Sequence, residues 1–155
     1  ALNEGWRVAP IASQDNHSLD EEALRTVIWT DALTRDAILG ALDDRRAYST
    51  DDDNIEIIFR TDDAWMGSTL AASASPVSLL IKVSDDEPVT LLELIGTDGA
   101  AITSYTPTEG ENPIYWFPQV DVAAGDWFYL KVTSTNLYDV DSDVQIAVTA
   151  PLWIQ

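Results

Sequence analysis

From Ile55 onward the chain alternates short β-branched and aromatic runs with clusters of turn residues, a pattern that a helical fold cannot accommodate. The runs are Ile55–Arg60, Ala64–Leu70, Val77–Val83, Val89–Gly96, Ala101–Thr106, Ile114–Val120, Asp126–Thr133 and Val144–Ala150. Breakers lie between them: Asp62-Asp63, Ser75-Pro76, Asp85 to Pro88, Gly110 to Pro113 and Ala124-Gly125. Thr97-Asp98-Gly99 is a hairpin signal, because Asp-Gly supplies the positive φ that tight β-turns need. Trp127, Tyr129 and Lys131 alternate with Phe128, Leu130 and Val132, so one face of that strand is apolar. Residues 55–155 therefore read as an immunoglobulin-like antiparallel β-sandwich, and the chain as mainly β.

Residues 1–54 fit this pattern poorly. Arg7 to Ala12 is a short apolar, strand-like run that ends in the polar cluster Ser13 to Ser18. Thr34 is a helix N-cap, with Ala37 where a capping box prefers Glu. Ala37, Ile38, Ala41 and Leu42 then mark one helical face. Asp36 near the start and Arg45-Arg46 near the end suit the macrodipole of a helix over Thr34 to Ala47. One strand and a helix have no sheet of their own to cover, so this segment either packs on the sandwich or belongs to a larger domain.

The 155 residues suffice for one domain with a real core. Twenty-seven acidic against eight basic residues give a net charge of -19, which repels nucleic acid and anionic membrane. The absence of cysteine excludes disulfides and thiol chemistry. No apolar run reaches the roughly 20 residues of a bilayer span, and Ala1 to Glu4 carries neither the basic nor the apolar part of a leader.

The acids come in clusters: Asp43-Asp44, Asp51 to Asp53, Asp62-Asp63, Asp85 to Glu87, and Asp139, Asp141, Asp143. They read first as a hydrated surface suited to a salty setting. Asp139-x-Asp141-x-Asp143 also has the spacing that opens a calcium loop, without its sixth-position glycine or twelfth-position glutamate. The sole histidine lies in Asp15-Asn16-His17, where a carboxylate and an imidazole on one loop can face the same transition metal. No nucleophile elbow, phosphate loop or dinucleotide turn is present, and no catalytic residue is assigned. Trp6, Trp65, Trp116 and Trp127 read as core. Tyr115-Trp116-Phe117 is the best candidate sugar platform, since successive strand residues cannot all face inward.

Leu2 to His17 resembles the last strand and metal-binding turn of the polymerase-and-histidinol-phosphatase (PHP) superfamily, in particular its CehA/McbA-type metallohydrolases. Leu33 to Thr50 resembles the segment that follows there, a helix with a paired-arginine end that runs into a Tyr-(Ala/Ser)-Thr turn, here Tyr48-Ser49-Thr50. Asp53 to Ile57, Trp65 to Ser68 and the closing Ala150-Pro151-Leu152-Trp153-Ile154 extend the likeness, which covers residues 2–70 and 150–154. The resemblance implies that residues 1–54 are the C-terminal remnant of a PHP-type α/β barrel. Asp15 and His17 would then be its last ligands to Zn, Mn or Fe, and residues 55–155 an accessory β-sandwich.

On that expectation the chain is the C-terminal part of a hydrolase whose metal-bound hydroxide cleaves a phosphoester, ester or carbamate. Its partners would be the N-terminal remainder of the enzyme and a small-molecule ester, with neither nucleic acid nor membrane. The isolated chain would be inactive, and its location periplasmic or secreted. The alternative is a non-catalytic interaction module that binds carbohydrate, or calcium through Asp139, Asp141 and Asp143.

Overall fold

The structure, a computed structural model, describes residues 1–13, 24–136 and 143–155. Its hub is β11 (Trp127–Thr135), whose alternation buries Phe128, Leu130, Val132 and Ser134. On one side β11 pairs antiparallel with β7 (Val89–Ile95), and β7 pairs with β8 (Ala101–Tyr105). On the other it pairs with β12 (Val144–Thr149) and β13 (Leu152–Ile154). β13 carries β4 (Thr69–Leu70) as a parallel neighbour. The expected Asp98-Gly99 turn joins β7 to β8: Gly99 has φ +81°, and its N–H donates to Gly96 O at 2.8 Å.

A second antiparallel sheet contains β3 (Glu56–Arg60), β6 (Leu80–Ser84) and β9 (Ile114–Trp116). A short ladder joins β5 (Val77–Ser78) to β10 (Gln119–Val120). Ile57, Phe59, Ile81, Val83 and Ile114 from the second sheet enter the same core as Leu92, Leu94, Phe128, Leu130 and Val132 from the first. Phe59 and Phe128 meet edge-to-face across it, with centroids 6.3 Å apart. Each such side chain contributes about 1.5–3 kcal/mol by leaving water. The molecule is thus mainly β with antiparallel sheets.

The first third of the chain joins the hub sheet. β1 (Arg25–Ile28) and β2 (Ala47–Thr50) form an antiparallel pair, and β2 pairs with β12. The ladder therefore runs across position 54. Tyr48, on β2, is buried in the common core; its hydroxyl donates to Ile55 O at 2.7 Å and accepts from Ile57 N at 3.3 Å.

The helix α1 (Arg35–Asp43) starts where expected, with Thr34 Oγ1 accepting from Ala37 N at 3.3 Å. It stops well short of Ala47, and Arg45 and Arg46 lie beyond its last turn. Arg45 takes φ +58°, and Ala47 and Tyr48 enter the sheet, where burial outweighs continuation of the helix. Arg7 to Ala12 forms no strand; instead Thr26 Oγ1 accepts from Ala12 N at 2.9 Å and donates to Ala12 O at 3.0 Å. Pro118 separates β9 from β10, and Leu79 separates β5 from β6, so two of the expected runs are split. Trp127 is buried and Trp65 and Trp116 are half-buried, but Trp6 is exposed rather than part of the core. Among the described residues no helix is long and apolar enough to cross a membrane.

Candidate metal centre

The chain crosses between the two sheets at residues 51–55, from β2 to β3, and again at 85–88, from β6 to β7. Side-chain hydrogen bonds shape both crossings. Thr50 Oγ1 accepts from Asp52 N at 2.9 Å, and Asp52 Oδ1 accepts from Asn54 N at 2.7 Å and Ile55 N at 2.8 Å. At the second crossing Asp85 Oδ1 accepts from Glu87 N at 3.1 Å. Asn54 bridges the two: its Oδ1 accepts from Asp86 N at 3.0 Å, and its Nδ2 donates to Glu87 Oε2 at 3.4 Å.

This geometry turns Asp52, Asp85 and Glu87 inward, to 2, 4 and 4% exposure, while Asp53 and Asp86 face water. One oxygen from each of the three lies within 4.8 Å of the others. Among the described residues no lysine or arginine pairs with any of them. Three buried acids without a counter-charge are costly. Burial pushes Asp85 up to about 7, with the Asp52 charge adding to it against the N–H donated by Glu87. Burial also raises Asp52, followed by the charges of Glu87 and Asp53.

One further observation at this spot points to a cation. Asp85 Oδ2 is fully enclosed and accepts no well-formed hydrogen bond, although the Ser134 and Glu87 side chains lie close enough to act on the carboxyl. One end of the Gln145 amide lies 3.1 Å from Asp52 Oδ2 and 3.3 Å from the Thr135 carbonyl. With nitrogen there the amide donates to both, so Gln145 is satisfied by protein groups alone. Ser134 and Gln145, from adjacent strands β11 and β12, and Thr50 at the end of β2 are further buried polar side chains at this end of the sheets.

The donors are all oxygen. Zinc favours nitrogen and sulfur, whereas Ca²⁺ takes six to eight oxygens at roughly 2.3–2.6 Å, so one ion can touch all three carboxylates. Mg²⁺ usually keeps several waters and demands near-ideal octahedral geometry, so three converging carboxylates suit it less well.

The acidic clusters at 51–53 and 85–87 are therefore not simply a hydrated surface, because alternate members turn inward. What marks them in the sequence is position rather than composition: each fills a short connection between two apolar runs. Asp15, His17, Asp139 and Asp141 lie outside the described residues. Asp143 is exposed, and its carbonyl accepts from Asn136 N at 3.1 Å. Arg45 sits over the Trp153 ring at 5.6 Å and Arg46 pairs with Asp44 at 3.2 Å, so both have local partners.

No protein-family model, curated protein or solved structure was found to match the chain.

Proposed function

We propose that this chain is a non-catalytic binding module, an immunoglobulin-like β-sandwich that takes up a calcium ion at Asp52, Asp85 and Glu87. The enclosed, unpartnered Asp85 Oδ2 among three buried carboxylates carries the reading. The ion supplies the positive charge these acids lack, and it ties the β2–β3 crossing to the β6–β7 crossing. Its role is to hold this end of the two sheets together. The hydrolase expected from the PHP resemblance would use a different donor set, Asp15 and His17.

The test is calcium titration of chelator-stripped protein by calorimetry, paired with thermal unfolding. Calcium at about 100 times its dissociation constant should raise the melting temperature by about 5–10 °C. Asp85→Asn should abolish the response, Mg²⁺ should give a much smaller one, and Asp15→Ala/His17→Ala should leave it intact. A calcium response that survives in Asp85→Asn but disappears in Asp139→Asn/Asp141→Asn would transfer the site to the Asp-x-Asp-x-Asp loop. No heat and no thermal shift with wild type would remove the function altogether.

A further inference from the structure

At the outer face of the second sheet the chain exposes an aromatic pair. β9 is bonded to β6 alone among the described strands. Ile114 points into the core, and Trp116 stacks on Tyr105 with centroids 6.0 Å apart. Tyr115 and Phe117 consequently face outward, at 52 and 64% exposure. Their rings are nearly parallel, at 8°, with centroids 6.5 Å apart. Scattered exposed apolar side chains are ordinary. Here two large rings hold one tilt, and both remain open to solvent.

Polar groups adjoin the pair. Phe117 borders a cleft of about 250 Å³ that is also lined by Asp62, Ser78 and Gln119, and Gln119 Nε2 donates to Ser78 Oγ at 3.3 Å. Lys82 stands opposite Tyr115 in the β6–β9 register. It has no ion pair among the described residues, whereas the chain's other lysine, Lys131, pairs with Glu93 at 3.2 Å.

We infer that this face binds an uncharged polysaccharide. A pyranose offers a C–H face to an aromatic ring and hydroxyls at its rim that both donate and accept. Tyr115 and Phe117 supply the ring faces; Asp62, Ser78 and Gln119 supply acceptors and donors beside them. Charge narrows the ligand from both sides: a net charge of -19 disfavours a polyanion, and the unpaired Lys82 ammonium disfavours a cation at this spot. The site is separate from the carboxylate cluster and does not depend on the calcium reading.

The experiment mixes the whole chain, in calcium-containing buffer, with insoluble cellulose, chitin and granular starch, and measures depletion from solution. Retention on at least one polymer is expected. Tyr115→Ala/Phe117→Ala should weaken it by about tenfold or more, and Gln119→Ala by a smaller factor, without change in melting temperature. Asp85→Asn should keep retention while losing its calcium response, which separates failure of this site from failure of the metal reading. No retention on any of the three polymers, or retention indifferent to the double variant, overturns the inference. Concentration-dependent dimerisation abolished by the double variant overturns it too, because the pair would then be an interface between copies.

Discussion

Asn112 holds the main chain of Asp85 at both ends of its side-chain amide. Its Nδ2 donates to Asp85 O at 2.6 Å, and its Oδ1 accepts from Asp85 N at 3.4 Å. The amide thus does for one residue what a neighbouring strand would do, just where β6 ends and the chain turns towards the acidic cluster. The same Oδ1 accepts from Ser84 Oγ at 3.3 Å. Replacing Asn112 by Ala should cost about 1–2 kcal/mol of stability, from unpaired main-chain groups. It should also weaken calcium binding, because Asp85 loses its anchor. Chemical denaturation and calorimetric titration of the variant check the two effects separately.

The elevated Asp85 carboxyl makes stability depend on pH with a definite sign. Its ordinary value is 3.8, and in the fold it rises to about 7. Between those values the folded state holds more protons than the unfolded one, so stability falls as pH rises through that window. The loss is complete above about 7. Asp52 shifts in the same direction. Chelator-treated protein should therefore melt at a lower temperature at pH 7.5 than at pH 5, by several degrees. Saturating calcium should cancel or reverse that slope, since the ion favours the ionised carboxylates. Melting curves against pH, with and without calcium, supply the check.

Tyr48 joins β2 to the opposite sheet through its hydroxyl. Tyr48→Phe should cost about 1–3 kcal/mol, because the Ile55 carbonyl and Ile57 N–H lose their partner in a buried setting. Burial pushes this phenol up to about 12 from 10.0, so the folded state retains a proton that the unfolded state releases between those values. Wild-type stability should fall as pH climbs from 10 to 12, and the phenylalanine variant should lack that component of the fall. Denaturant midpoints across that range decide it.

Gly67 is irreplaceable on two grounds. Its φ is +89°, and a Cβ there would collide with the carbonyl oxygens of Asp44 and Arg45. Its N–H also donates to Pro151 O at 2.9 Å, and its carbonyl accepts from Arg45 Nε at 3.3 Å. Gly67→Ala should lose more than about 3 kcal/mol, since backbone rather than a flexible side chain would have to move. Gly99→Ala has the same sign of φ but meets nothing within 4 Å, so it should cost less. Comparing the two midpoints isolates the clash.

Much of the β architecture is visible in the sequence because alternation is local: Phe128, Leu130 and Val132 announce an inward face without reference to any partner. Thr34 is legible for the same reason, since a cap depends on residues three apart. Ala47 and Tyr48 are not, because their strand exists through non-local partners, β1 about 20 residues earlier and β12 nearly 100 residues further on. Arg25 to Ile28 likewise becomes a strand by pairing with β2. The acidic site is half legible. The clusters at 51–53 and 85–87 can be seen, but not that Asp52 and Asp85 face each other, which follows from the two sheet crossings. Asp53 and Asp86 are the same residue type and lie in water, so composition alone cannot separate them from their buried neighbours.

The place of β12 constrains when the molecule can close. It lies between β2 and β11, so the pair of β1 and β2 joins the ladder of the hub sheet only through residues 144–149. During vectorial synthesis that pair keeps one edge unpaired until residues 144–149 have left the ribosome. A chain stalled before residue 144 would present both that edge and the bare flank of β11 to its neighbours, which makes incomplete products the species most prone to aggregate.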